Sequence, residues 1–243
     1  MAGTGQLREW IAAATHMVVF TGAGISAESG IPTYRGEDGV WQKYDPAKYA
    51  NVRIFDEDPS YYWSFFRDVR YPGLKAAGPN SAHRALAALE ARGAVKAVIT
   101  QNIDGLHHLA GSDRVLELHG NTRRISCRRC RERHTMEEVH RQLASRMPPV
   151  CFSCEGPLKP DVVFFGEALP AAVLAEAMEE ARQCDLFMVI GSSLVVQPAA
   201  SLPVLAKENG ARFVILNKES TPLDSLADAV YNRRASEVLE EVV

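Results

Sequence analysis

Four cysteines fall in two close pairs, Cys127-x-x-Cys130 and Cys151-x-x-Cys154, with 20 residues between the pairs. Two residues between thiols allow a tight knuckle, and two knuckles supply the four thiolates of a tetrahedron, so the spacing predicts a zinc ribbon. Four protein ligands close the shell and leave no position for water. One structural zinc ion is therefore expected, not a catalytic one. Arg128, Arg129, Arg131 and Arg133 around the first knuckle are read as a solvated face. Cys184 stands alone before an apolar run and is assigned to the core.

A second group can do chemistry on a nucleotide. Gly22-x-Gly24-x-x-Ala27 follows the apolar run Met17 to Phe20 and fits the dinucleotide fingerprint with alanine in third place. Gly22 would permit a tight turn, and Gly24 would let backbone N–H groups approach a pyrophosphate. Taken alone, the motif equally suits an ordinary strand-to-helix turn. The acidic residue usual on a second strand about 20 residues later is missing; that region holds Gly36, Asp38 and Trp41 in a loop, and Asn217 could take over the ribose hydroxyls. Among seven histidines, His119 is the candidate general base, because it ends an apolar run and precedes Gly120 near Asn102 and Asp104. His16, His83, His107, His108, His134 and His140 are assigned structural or surface roles.

These residues need elements to hold them. Apolar periodicity predicts helices over Gln6–Ala14, Asp58 to about Arg70, Ser81 to Gly93, Pro170–Arg182, Pro198–Asn209 and Ser236–Val243. Short apolar runs predict strands at Met17–Phe20, Val95–Thr100, Val115–Leu118, Asp161–Phe165, Leu186–Ile190 and Phe213–Leu216. Such alternation implies an α/β fold whose parallel sheet is covered on both faces, with ligands beyond the carboxyl ends of the strands. Thr21-Gly22-Ala23-Gly24, Gln101-Asn102-Ile103-Asp104, His119-Gly120, Gly191-Ser192-Ser193 and Asn217 each directly follow a strand, so five strand ends aim polar groups at one rim.

The 243 residues suffice for a large domain plus a small one, and 47% hydrophobic content permits a sizeable core. A net charge of −3 argues against a general nucleic-acid surface, and the basic zinc segment is diluted by Glu132, Glu137 and Glu138, against a zinc-ribbon nucleic-acid module. No apolar run approaches membrane-spanning length, and the N-terminus lacks a signal peptide's pattern. A cytoplasmic protein is expected, which agrees with reduced, metal-binding thiols.

In order and spacing, Gly22-Ala23-Gly24-Ile25-Ser26, Glu28-Ser29-Gly30-Ile31-Pro32, Tyr34-Arg35, Gln101-Asn102-Ile103-Asp104, His119-Gly120, the paired cysteines, Val163-Phe164-Phe165-Gly166-Glu167 and Gly191-Ser192-Ser193 resemble the sirtuin family over nearly the whole chain. The resemblance implies a Rossmann-like NAD-binding domain of residues 1–35, 78–121 and 157–243. It also implies a small domain of two insertions, a helical one at 36–77 and the zinc module at 122–156. The activity implied is NAD-dependent deacetylation of protein lysine, with the acyl group passing to ADP-ribose and nicotinamide, free lysine and O-acetyl-ADP-ribose released. Other acyl groups, or ADP-ribosyl transfer from the same NAD site, are the alternatives.

The resemblance also assigns roles. Asn102 and Asp104, with Ile103 and the adjoining Gln101, would hold the nicotinamide end, and His119 would take a proton from a ribose hydroxyl. Gly22, Ala23, Gly24, Ser26 and Arg35 would lie along pyrophosphate and ribose. Gly191, Ser192, Asn217, Lys218 and Arg234 would face the adenosine half. An acyl-lysine protein or peptide would add as a strand between Val163, Phe164, Gly166 and Glu167 on one side and the loop reaching Val196 on the other. Tyr34 stands where the family often has phenylalanine, so its hydroxyl needs a partner. Members that remove acidic acyl groups resemble one another in a Tyr-x-x-Arg pair. Anchoring on Asp58-Pro59 and Trp63 puts Phe66 and Val69 at those positions, which predicts a preference for acetyl over succinyl groups; a one-residue shift of register would instead bring Arg70 into place, with Arg67 as its partner.

Overall fold

The computed structural model describes residues 3–36 and 39–243; Asp38 lies outside the described residues. Nine strands are present among these: β1 (Met17–Thr21), β2 (Val95–Thr100), β3 (Val115–Glu117), β4 (Gly120–Cys127), β5 (Arg133–Thr135), β6 (Leu158–Val162), β7 (Leu186–Ile190), β8 (Arg212–Leu216) and β9 (Ala229–Tyr231). Six of them form one parallel sheet in the order β3-β2-β1-β7-β8-β9. The chain winds outward from β1 to β3, then returns beside β1 to wind the other way through β7, β8 and β9. That reversal between β1 and β7 is the topological switch point at which doubly wound sheets bind dinucleotides.

Why β1 and β7 take the centre follows from their composition. Met17–Thr21 and Leu186–Ile190 are buried at every position, as strands covered on both faces must be. One face packs Val19, Val98, Met188 and Val214 under Leu7, Leu86 and Leu239. The other packs Phe20, Ile99, Phe187 and Phe213 under Ala177, Ala181, Leu202 and Ala206. Small residues on the second face let helices 171–183 and 202–208 lie close to the sheet.

Register carries this architecture to the site. Thr21 pairs with Thr100 and Ile190, Ile190 with Leu216, Thr100 with Glu117, and Leu216 with Tyr231. The carboxyl ends are therefore level, and the residues after them, Gly22, Gln101, Gly191 and Asn217, start one rim. Their N–H groups extend the ladder by one bond each, to Ile190, Thr21, Leu216 and Tyr231 at 3.0–3.2 Å or just below.

The remaining strands form a small antiparallel sheet, β5-β4-β6. It shares an apolar core with the helices of residues 52–76, built on Trp63, Phe66, Leu106, Ile125, Val139 and Leu158. Two differences from expectation lie here. The strand expected at Asp161–Phe165 is Leu158–Val162, with Pro160 on the outer strand of its sheet, where a missing N–H is tolerated. The helix expected to Arg70 is α-helical over Ser60–Phe65, then π-helical over Phe66–Arg70, and α-helical again over Tyr71–Ala76. Pro72 accounts for the change: it offers no N–H to the carbonyl four residues back, and its ring excludes that carbonyl. The ladder continues instead with the Tyr71 N–H donating to the Phe66 carbonyl.

Candidate active site

The level strand ends, the loop after β1 and the aromatic face of the small core enclose one cavity of about 850 Å³, the size of a site for a cofactor-sized molecule. Of the residues singled out from the sequence, Gly22, Ala23, Gly24, Tyr34, Arg35, Gln101, Asn102, Ile103, His119, Val163, Phe164, Gly166, Glu167, Gly191, Ser192, Val196, Asn217, Lys218 and Arg234 line it.

The glycines owe their identity to a crossing of two backbones. A Cβ on Gly22 would sit 2.7 Å from the Gly191 carbonyl oxygen, one on Gly24 2.6 Å from Gly191 Cα, and one on Gly191 2.3 Å from the Ile25 nitrogen. Gly22 has φ −123°, so no left-handed turn is involved. The Gly24 N–H donates to the Gly191 carbonyl at 2.8 Å. It is thus spent inside the protein, and what Gly24 offers the cavity is close approach of the backbone around it.

Asn102 is held rigidly. Its amide donates to the Gly22 carbonyl and to Ser26 Oγ, both at 3.1 Å, and its N–H donates to Thr100 Oγ1 at 3.0 Å. Ser26 and Asp104 are buried and are not among the residues that line the cavity. Ser26 is fully buried and donates to Asp104 Oδ2 at 2.8 Å, while Asp104 Oδ1 accepts from the Leu106 N–H at 2.9 Å. Their hydrogen bonds are used to brace Asn102, so here they support the site from behind.

His119 Nδ1 lies 3.0 Å from the Gln101 carbonyl. A carbonyl can only accept, so Nδ1 carries the proton and Nε2 keeps its lone pair. Burial lowers the imidazole below the usual histidine range; the Gln101 carbonyl opposes this and Arg35 adds to it. The ring is therefore neutral near pH 7, the form that can accept a proton. Gly120 must follow, with φ +73° and a Cβ that would fall 1.9 Å from the Asp161 carbonyl oxygen.

For the wall contributed by the small core, sequence reading named Phe66 and, under a shifted register, Arg70, and missed Tyr62 and Phe65. Tyr62, Phe65, Phe66 and Arg70 all line the cavity, and Val69 does not. In a π-turn, residues four apart stay on one face, so Tyr62, Phe66 and Arg70 align and the register that put Val69 beside Phe66 is corrected. The signal was Pro72. Arg70 is 6% exposed, donates to Tyr34 Oη at 2.9 Å and lies 4.7 Å from that ring's centroid. It supplies the partner that the Tyr34 hydroxyl needed. Arg67 instead pairs outward with Asp68.

Away from the cavity, Cys127, Cys130, Cys151 and Cys154 converge, all four sulfurs within 4.8 Å of one another. Cys127–Cys154 and Cys130–Cys151 are 3.5 and 3.6 Å apart, close to the roughly 3.8 Å that a tetrahedron with Zn–S bonds of about 2.3 Å requires. Burial alone would raise the Cys127 thiol, but N–H groups of Cys130 and Arg129 aimed at its sulfur outweigh that and bring it down to about 6. The donor set fits one structural zinc ion, and none of the four cysteines lines the cavity.

Comparison with known proteins agrees with this geometry. The Sir2 family profile matches residues 22–198. An NAD-dependent protein deacylase 2 of Archaeoglobus fulgidus is 50% identical, spanning 97% of this chain and 92% of its own. An NAD-dependent protein deacetylase of Sulfurisphaera tokodaii is 48% identical, over 94% and 90%. A Sir2 structure with deacetylated p53 peptide and 3′-O-acetyl-ADP-ribose superposes with a TM-score of 0.95 at 39% identity, covering 99% of this chain and 97% of that one. Another, bound to a propionylated peptide, gives 0.91 at 38%, with the same coverage.

Proposed function

Because this chain belongs to the Sir2 family, the sirtuins, we propose that it uses His119 and Asn102 to run NAD-dependent deacetylation of protein lysine, passing the acyl group to ADP-ribose and releasing nicotinamide, free lysine and O-acetyl-ADP-ribose. The observation that carries the reading is one cavity that joins a neutral His119, a braced Asn102, the β1 and β7 loops and the segment Val163–Glu167 that follows β6. NAD, when bound, supplies the electrophilic ribose carbon and the nicotinamide leaving group.

The protein's own groups do the rest. Gly22, Ala23, Gly24 and Arg35 border the dinucleotide, with Gly191, Ser192, Asn217, Lys218 and Arg234 toward its adenosine end. Asn102, Gln101 and Ile103 orient the nicotinamide end, with Ser26 and Asp104 bracing them. Tyr34 covers it. His119 Nε2 accepts a proton from a ribose hydroxyl. The peptide adds as a strand at Val163, Phe164, Gly166 and Glu167 opposite Val196. The two-domain division at residues 36–77 and 122–156 and a cytoplasmic setting belong to the same reading; among the described residues, no helix is long and apolar enough to cross a membrane. Purified protein with NAD and an acetyl-lysine peptide should release nicotinamide and unmodified lysine together. No release would sink the reading, and ADP-ribose left on protein would replace it with transferase activity.

A second reading concerns the acyl group, and Arg70 favours it. A guanidinium 6% exposed in the cavity wall, with a hydroxyl and a ring as neighbours and no carboxylate partner among the described residues, can receive an anion. Tyr62, on the same helical face, packs 4.8 Å from Phe164 of the peptide strand, so Arg70 stands toward the acyl end of the cavity. Succinyl-lysine is then a substrate beside acetyl-lysine, against the preference expected from sequence. Arg70→Met should lower kcat/KM for succinyl-lysine peptide by about 10- to 100-fold relative to acetyl-lysine, the scale of a lost hydrogen bond to a charged group. An unchanged ratio removes this reading.

A further inference from the structure

Lys159 sits on β6, where burial alternates along Leu158–Val162 and its position faces outward. Its side chain does not extend into water. It curls under the following turn and is 12% exposed, with Nζ 2.9 Å from Glu167 Oε2, 2.6 Å from the Val162 carbonyl and 3.4 Å from the Pro160 carbonyl. Nζ also lies 4.2 Å from the Phe164 ring centroid. Three oxygens match the three protons of an ammonium, and a ring face covers it. A partly buried lysine–carboxylate pair contributes little net stability, because desolvation and side-chain ordering offset the attraction. What such a pair does supply is a fixed geometry.

That geometry is the substrate strand's. The Glu167 oxygen that receives Lys159 also accepts the Phe164 N–H at 2.8 Å, and the Glu167 N–H donates to the Phe164 carbonyl at 3.0 Å. The turn 164–167 is thereby closed on itself. From the other side, the Phe165 N–H donates to Ala50 and the Phe165 carbonyl accepts from Val52, at 2.8 and 3.1 Å. The Val163 carbonyl and the Gly166 N–H, both belonging to cavity-lining residues, are left without a protein partner among the described residues. We propose that Lys159 is a positioning residue for the peptide substrate: acting through Glu167, it holds the segment Val163–Gly166 in the shape that accepts an acyl-lysine peptide, and it takes no part in cofactor binding or chemistry. Burial pulls the lysine below its usual range and Glu167 opposes this, which is the balance expected of an ammonium kept charged for one partner.

This inference rests on the peptide site proposed above. The experiment compares wild type, Lys159→Met, Lys159→Arg, Glu167→Gln and the Lys159→Met/Glu167→Gln double variant. Direct binding of a fluorescent acetyl-lysine peptide is measured beside steady-state kinetics. Lys159→Met should weaken peptide binding and raise peptide KM about tenfold, with kcat and NAD KM within about twofold, the signature of lost uniform binding. Lys159→Arg should restore most of the affinity. In the Glu167→Gln background the methionine should add little, since both changes break one coupling. Unchanged peptide affinity in Lys159→Met, an equal rise in NAD KM, or full additivity would each overturn the proposal. If wild type binds no acetyl-lysine peptide at all, the peptide site falls instead, which is a separate result.

Discussion

The zinc module and the cavity solve the same problem, holding polar groups in fixed geometry, at opposite chain distances. Cys127 and Cys130 are three residues apart, and the Cys127 sulfur is organised by N–H groups of Arg129 and Cys130 in the same knuckle. Asn102, by contrast, is braced by Gly22 and Ser26 from about 80 positions away, and Gly22 is itself wedged against Gly191. A local site can be rebuilt from its own loop once metal binds. A site made of remote strand ends exists only while the whole sheet keeps its register.

Breaking the local site should therefore have the largest effect on folding and leave chemistry as a secondary casualty. Cys127→Ala is expected to lose zinc and the cooperative unfolding of the small core, since structural zinc binding is worth on the order of 10 kcal/mol in small modules. Metal content and a thermal melt check it, and stoichiometric zinc with an unshifted Tm would contradict it. Breaking the remote site at its reactive member should do the reverse. His119→Ala should fold, bind NAD and lose about 10²–10⁴-fold in turnover; turnover near wild type would remove His119 from the mechanism.

Gly120→Ala tests the seam between the two regions, because Gly120 begins β4 while following His119. The added Cβ meets the Asp161 carbonyl at 1.9 Å in a left-handed backbone. The left-handed cost alone is about 1–2 kcal/mol, and moving β4 away from β6 adds to it. Both Tm and kcat should fall, and a loss confined to one of them would mean that the regions are less coupled than the geometry implies.

The smallest effect is acid sensitivity. Burial lowers His107 to about 3, with the neighbouring His83 and His108 adding to this. A histidine depressed when folded contributes stability above its unfolded pKa, near 6.5, and loses it as pH falls from there toward 3. Each such group adds at most about 1.4 kcal/mol per pH unit in that window. His107→Asn or His107→Gln should flatten the slope of stability between pH 6.5 and 5, while the catalytic acid limb, set by His119, stays in place below pH 6.5.

The same contrast governs what could be read from sequence. The knuckles and strands β2 and β7 were legible to the residue, because short-range spacing and unbroken apolar runs define them. The level rim was legible as well, since each polar motif directly follows such a run. Strand β4 escaped because Asn121, Thr122, Arg123 and Arg124 give it no apolar alternation, and pairing with β5 and β6 makes it a strand. Helix Leu106–Ala110 escaped because it is five residues long and starts at Gly105 in a left-handed conformation. Arg70 was legible only as the alternative of a one-residue register shift, which helical spacing alone could not choose. A sequence assigned 3.6 residues per turn throughout places Val69 where the π-turn before Pro72 places an arginine.

The aromatic run along the cavity has a practical consequence. Trp41 stacks between Tyr34 at 5.2 Å and Phe65 at 5.8 Å and is the one tryptophan of three that borders the cavity. Trp63 is sealed in the small core, and Trp10 lies under Arg212 on the far side of the sheet. The protein thus carries an intrinsic optical reporter: Trp41 emission should respond to whatever displaces Tyr34, read over a background from Trp10 and from Trp63, which packs on the cavity-lining Tyr62 and Phe66.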